Sequence, residues 1–249
     1  MDLALQLPSV WENLYAQGME SVWTFAHNDQ RPAVRTFLGR LRGGYETILD
    51  VGCGDGYYWP LLRPSKIVII EPNAVLRQRA LQVSKRLGAD VQMVRDVNSL
   101  CGGYGGCGGL DLVVLIHVLL YLNVEELRML LRWIKGRPLV LVYPDPKRAI
   151  TVECEEASGM FSSQEKIEMK HALLGKPQRR EVVDSHFRVP LNSDVDTLAF
   201  LVAHMMLRDG DAVKLMDTAR AFVKERVEGW RKQKYFEMPQ AQVMEWYGV

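Results

Sequence analysis

At 249 residues the chain has the length of one α/β domain with an insertion, and it is read as a single domain over 1–249. The net charge is +1 with basic and acidic residues interleaved, which leaves no electrostatic footprint for a nucleic-acid partner. The first fifteen residues, MDLALQLPSVWENLY, have neither a basic start nor a long apolar core. No apolar run reaches the length of a membrane span, so a cytoplasmic protein without a membrane partner is expected. Cys53, Cys101, Cys107 and Cys154 show no C-x-x-C spacing; reduced thiols are expected, with no metal site and no disulfide framework.

Ser9 followed by Glu12 reads as a capping box that opens a helix to about Phe25, with Gly18 as a soft interruption. Residues 1–31 are expected to form an N-terminal helical lid. Its Tyr15 and Trp23 either face a substrate or pack in the core. A short polar turn, Ala26 to Gln30, follows as a candidate substrate-facing segment. Pro32 suits the first turn of a second helix, with Val34, Phe37, Leu38 and Leu41 on one face and Gly43-Gly44 ending it.

The run Ile48-Leu49-Asp50-Val51 predicts a strand ending at the sequence Gly52-Cys53-Gly54-Asp55-Gly56. Glycines after a strand let the chain turn sharply and let a ligand lie against bare main chain. The pattern is G-x-G-x-G, with Tyr57 where a dinucleotide fingerprint would need its third glycine. Nineteen residues beyond Gly52, the strand Ile67-Val68-Ile69-Ile70 ends in Glu71, which places a carboxylate where the two hydroxyls of a ribose are bound in such folds. Pro72-Asn73 then opens a helix to about Leu87, stopped by Gly88. Val91 to Val94 predicts the third strand, followed by Asp96, and the glycine-rich stretch Cys101 to Gly109 predicts a surface connection. It is no phosphate cradle, because a strand follows it where an anion site needs a helix N-terminus.

Leu110 to Ile116 is an almost continuous apolar run, the mark of a central strand buried on both faces. Asn123 and Glu126 form a second capping box, for a helix through Ile134. Leu139 to Tyr143 predicts the fifth strand, closed by Pro144-Asp145-Pro146. Residues 147–180 carry clustered charge and are expected as a helical insertion covering the edge of the sheet where ligands bind. Val182 to Val189 predicts a strand, Ser193 caps an apolar helix, and Asp211 starts another to about Glu228. Tyr235 to Tyr247 closes the chain as a last strand with Pro239 at an irregular or edge position. The fold class is therefore α/β, a Rossmann-like, seven-stranded, mostly parallel sheet with one antiparallel hairpin and helices on both faces.

ILDVGCGDG followed by IVIIEPN resembles the first two motifs of the class I S-adenosylmethionine-dependent methyltransferases. VQMVRDVNSL resembles the family's adenine-reaching segment, and DLVVLIHVLLYL its strand and helix beneath the methyl group. The resemblance spans about Pro32 to Pro146. It implies S-adenosylmethionine as cofactor, S-adenosylhomocysteine as product, and cofactor contacts from Asp50, Gly52, Cys53, Gly54, Gly56, Glu71, Pro72, Asp96, Val97 and Ile116. It further implies that Asp96 accepts a hydrogen bond from the adenine amino group. The reaction implied is methylation of a small molecule on nitrogen or oxygen. A cofactor-binding partner protein without catalysis and a methyltransferase of protein or RNA are the alternatives.

Methyl transfer from a sulfonium is an in-line displacement, so the protein needs to place a lone pair and deal with the acceptor's proton rather than build a triad. His117, directly after the central strand, is the candidate base. It equally suits a substrate hydrogen bond, or an ordinary core histidine bonded to a carbonyl. Tyr121 is expected one helical turn further on the same face, lining a substrate pocket with Tyr15, Trp23, Gln30 and His117. The layout is most similar to the histamine N-methyltransferase group, in which a glutamate of the polar turn pairs with the substrate ammonium. Here that position reads Gln30, which implies the scaffold and the pocket location without implying a basic amine substrate.

Overall fold

Five short runs of β-branched residues and leucine build a parallel sheet: β1 (Thr47–Val51), β2 (Lys66–Ile70), β3 (Asp90–Val94), β4 (Leu112–Ile116) and β5 (Leu139–Ala149). The computed structural model describes residues 30–41, 44–103, 108–159, 163–206 and 212–248. The sheet continues through β9 (Tyr235–Tyr247), antiparallel to β5, and β6 (Arg179–Val183), giving the order β3-β2-β1-β4-β5-β9-β6. The expected seven-stranded, mostly parallel sheet is what forms, and β7 (His186–Pro190) and β8 (Arg231–Lys232) pair with β9 off this path.

Alternation along the strands feeds two cores. Leu49, Val51, Val113, Leu115, Leu141 and Val243 face one, with α5 (Val124–Ile134) and α7 (Ser163–Leu174). Ile48, Ile67, Ile69, Val114, Val142 and Met244 face the other, with α1 (Gln30–Gly39), α2 (Trp59–Leu62) and α3 (Ala74–Leu87). The helix starts are fixed locally. The Asn73 side chain accepts from the amides of Val75 and Leu76, and Asn123 with Glu126 closes the capping box at 2.8 Å in both directions.

A third core, not expected from the sequence, stands apart from the sheet. The half of β9 from Tyr235 to Pro239 pairs with β7 and β8, and carries Phe236 and Met238 against α6 (Ile150–Ala157), α8 (Val195–Met205) and α9 (Ala212–Trp230). Ala149 at the end of β5 pairs with Gln240, so this half of β9 projects beyond the carboxyl end of β5. Residues 147–180, expected as a polar cover, contribute Ile150 and Cys154 to this third core and Ile167 to the first.

Several boundaries differ from expectation. β5 runs on past Tyr143 to Ala149, because Pro144 and Pro146 fall at a register shift where missing ladder donors are tolerated. The stretch Val182 to Val189 is two strands, since Asp184 and Ser185 break it and β6 and β7 pair with different halves of β9. Asp194, not Ser193, caps α8: its carboxylate accepts from the Thr197 amide at 2.6 Å, while the Ser193 amide donates to Pro190 in a turn. The stretch after β3 begins as a short helix, α4 (Val97–Gly103), capped by Asp96. The expected helix Ser9 to Phe25 lies outside the described residues, as do Tyr15, Trp23, Ala26 to Asp29 and Cys107; Gln30 begins α1. No helix among the described residues is long and apolar enough to cross a membrane, and none of their His, Cys, Asp and Glu side chains group as a metal site.

Candidate active site

In an open α/β sheet, ligands bind beyond the carboxyl ends of the strands, where neighbouring connections leave in opposite directions. Here that point lies between β1 and β4, and the loops that meet there are Gly52–Tyr58, Glu71–Asn73 and His117–Asn123. Strand register brings them level, with Val51 beside Ile70, and the Gly52 amide donates to the Ile70 carbonyl at 2.7 Å.

All three loop glycines take positive φ, 69° at Gly52, 56° at Gly54 and 72° at Gly56, where a side chain would strain the backbone. Their surroundings differ. A Cβ on Gly52 would stand 2.7 Å from Val118 Cγ2, and one on Gly56 would stand 2.8 Å from the Trp59 ring. A Cβ on Gly54 would meet nothing within 4 Å. Gly52 and Gly56 therefore serve internal packing, and Gly54 fronts open space where a ligand can lie against main chain.

Glu71 ties the loop to β2. Its Oε2 accepts from the Gly54 amide and its Oε1 from the Asn73 amide, both at 2.8 Å. Burial raises the carboxyl to about 7 in spite of these two hydrogen bonds and the nearby Arg77. Asp50 is buried beneath the loop and accepts from Trp59 Nε1 at 2.7 Å. Burial raises it too, to about 7, with the Trp59 hydrogen bond lowering it and the Glu71 charge adding to the rise. Two carboxyl groups poised to lose protons near neutrality thus underlie one glycine loop. Cys53 has its thiol pushed well up by burial and then by Asp50, Glu71 and Asp55, so it is no nucleophile.

His117 stands in the left-handed region at φ 57°, its amide donating to Val142 at 2.7 Å on β5. A non-glycine residue held there is a strained position of the kind found at functional sites. Burial, followed by the charge of Arg31, lowers the imidazole to about 4, so it is neutral throughout the physiological range. The residues after it form a turn rather than a helix, because α5 starts only at Val124; Tyr121 accordingly does not share a helical face with His117 and is 45% exposed. The buried Lys170 of α7 holds this turn, its Nζ donating to the Leu119 carbonyl at 2.6 Å. Val97 is buried and Ile116 partly so, while Pro72 is exposed. Asp96 uses Oδ1 to cap α4 through the Ser99 amide and keeps Oδ2 3.6 Å from Arg95.

Sequence reasoning missed Arg31, Tyr58, Trp59 and Val118, which the fold gathers around the same loop. The aromatic run Tyr57-Tyr58-Trp59 directly after the glycines was the available signal for two of them.

No protein-family model matches the chain, and no curated protein matches it in sequence. Solved structures do share its fold. A protein of Bacillus halodurans C-125 assigned as a methyltransferase superposes with TM-score 0.56 at 12% identity, over 87% of this chain and 98% of that one. The (4+2)-cyclase SpnF superposes with TM-score 0.56 at 17% identity, over 99% of this chain and 97% of that one. The YcgJ protein of Bacillus subtilis gives 0.50 at 13% identity, over 88% and 97%. These likenesses establish the fold. One neighbour is named a methyltransferase and another a cyclase, so the chemistry has to be read from the site.

Proposed function

We propose that this chain is an S-adenosylmethionine-dependent methyltransferase that methylates nitrogen or oxygen on a small molecule. The observation that carries the reading is the Glu71 carboxylate at the end of β2, bonded to the Gly54 amide beside the open space over Gly54. A buried carboxylate at that point matches the paired hydroxyls of a ribose, and bare main chain at Gly54 admits the nucleoside against the loop. When bound, the cofactor supplies the electrophilic methyl group; the chain supplies position and a dry surrounding.

His117 is placed to orient the acceptor. An imidazole lowered to about 4 is a weak base, and general-base catalysis is most effective when the base titrates near the working pH. As a neutral ring it offers one donor and one acceptor, which suits holding an amine or hydroxyl lone pair toward the methyl group. Asp96 remains the candidate for the adenine amino group through Oδ2, its Oδ1 being engaged by the Ser99 amide. The third core projects beyond the carboxyl end of β5, and with residues 147–180 it forms the substrate side of the pocket in this reading. The histamine-type layout extends to the scaffold alone, because Gln30 stands where the ammonium-pairing glutamate would be and Arg31 follows it.

Incubation of the protein with methyl-labelled donor and a metabolite extract, followed by mass spectrometry, tests the proposal. A labelled small molecule is expected. Binding of S-adenosylhomocysteine without any label transfer would favour a cofactor-binding protein that does other work, as would transfer confined to protein or RNA for a macromolecular substrate.

A further inference from the structure

Two glutamines lie buried two residues apart on β9, Gln240 and Gln242, and the fold engages them differently. The Gln240 side-chain oxygen accepts from the Thr151 amide at 3.1 Å and from the Thr151 hydroxyl at 2.9 Å, which fastens β9 to α6. Gln242 is fully buried, and its Nε2 donates to the Gln240 carbonyl at 3.2 Å. A carbonyl only accepts, so the nitrogen is fixed on that side and Oε1 is the atom left over. Oε1 has no hydrogen-bond partner among the described residues, although buried polar atoms are almost always paired.

Strand register fixes where this side chain stands. Met244 and Trp246 belong to the core beneath α1, so alternation turns Gln242 to that same side of the sheet. Ile116 pairs with Val142 and Pro144 pairs with Gln242, so Gln242 lies level with the start of the turn at His117, two strands away. Two interstrand spacings set the backbones about 10 Å apart. The Nε2 bond reaches back two residues along a strand antiparallel to β5, which bends the Gln242 side chain toward the carboxyl end of β5. An unsatisfied acceptor thus faces the end of the sheet where ligands bind, across β5 from His117.

Resting on the methyltransferase reading, we infer that Gln242 selects the methyl acceptor, its Oε1 accepting a hydrogen bond from an N–H or O–H group remote from the methylated atom. With His117 orienting the reacting end, the acceptor is a small molecule with two hydrogen-bonding ends that spans the carboxyl end of β5. Its remote group is a donor: an amine, an amide or a hydroxyl. A carboxylate in that place would set two acceptors against each other. Discrimination is strong, because an analogue without the donor leaves the shielded oxygen unpaired.

The test compares wild type and Gln242→Met as full chains, each incubated with methyl-labelled S-adenosylmethionine and a metabolite extract. Methionine keeps the unbranched shape and removes the amide, while the Gln240 carbonyl retains the Ser185 hydroxyl as a donor. The variant is expected to melt at the same temperature as wild type or higher, since it no longer buries an unpaired oxygen. It should bind S-adenosylhomocysteine as wild type does. Label transfer to the small molecule should fall roughly tenfold or more. With the labelled acceptor purified, the loss should appear as a raised KM, with kcat kept within about threefold. Equal label transfer by the two proteins, or a lower melting temperature with unaltered KM, would overturn the inference. A second arm needs no variant: every labelled product of wild type should carry an N–H or O–H away from the new methyl group. A product without one would overturn the inference even if Gln242→Met failed to fold. Absence of both S-adenosylhomocysteine binding and label transfer in wild type would instead overturn the methyltransferase reading.

Discussion

Alanine at each of the three loop glycines separates packing from ligand contact, because the structure assigns them different neighbours. All three residues sit at positive φ, so each alanine carries backbone strain of about 1–2 kcal/mol. At Gly54 nothing further is added, since the new methyl group meets no protein atom within 4 Å. At Gly56 the methyl group would stand 2.8 Å from the ring of Trp59, which is fully buried and tied to Asp50, so it cannot give way easily. Overpacking of that kind adds about 1–3 kcal/mol. Gly52→Ala meets Val118 at 2.7 Å and pushes on the residue next to His117. Denaturant unfolding should therefore rank Gly54→Ala as the mildest of the three. Calorimetry with S-adenosylhomocysteine should give the reverse emphasis: Gly54→Ala loses about tenfold to a hundredfold in affinity, roughly 1.4–2.8 kcal/mol, because its methyl group occupies the ligand's place. Wild-type affinity in a folded Gly54→Ala protein would show that the open space over Gly54 is not the cofactor site.

Proton linkage gives a second test. Asp50 and Glu71 are raised by burial to about 7, so in the ligand-free protein they favour folding below the ordinary carboxylate range and progressively lose that contribution as pH rises through 7. A ribose and a sulfonium favour the ionised carboxylates, so cofactor binding should release protons and tighten as pH rises from about 6 to 8. Binding enthalpies independent of the buffer's ionisation heat would contradict this. His117→Gln should retain turnover within about tenfold, and the wild-type rate should show no histidine limb between roughly pH 5.5 and 8. A loss of 10²-fold or more on the order of general-base removal would restore His117 as the base. Lys170→Met should cost about 1–3 kcal/mol in unfolding free energy by stranding the Leu119 carbonyl, and hydrogen exchange should rise across residues 117–122. Unaltered exchange there would mean the turn holds itself.

What could be read in advance was local. The β-branched runs ending at Val51 and Ile70, the caps at Asn73 and Asn123 and the stop at Gly88 each carry their instruction within a few residues, and each forms as expected. Glu71 was legible because its spacing from the glycine loop depends on one strand–helix–strand unit. The third core was not legible, because it exists only once β9 pairs with β5, β6, β7 and β8, and nothing in Tyr235 to Tyr247 says that its two halves serve different sheets. Lys170 was hidden for the same reason: a lysine on a charged helix reads as solvated until the turn it bonds is packed against it. The place of His117 directly after β4 could be read from the run that precedes it, while its lowered pKa depends on burial and on Arg31, which no spacing rule connects to it.

The central claim is that the loop Gly52 to Gly56 and Glu71 hold S-adenosylmethionine. Titration of the full chain with S-adenosylhomocysteine, in wild type and in Glu71→Ala, tests it most directly. Saturable binding at one site per chain is expected for wild type, weakened by about 1–3 kcal/mol in the folded variant as the charge-assisted bonds to ribose are lost. Absence of binding in wild type, or equal affinity in wild type and variant, would contradict the account.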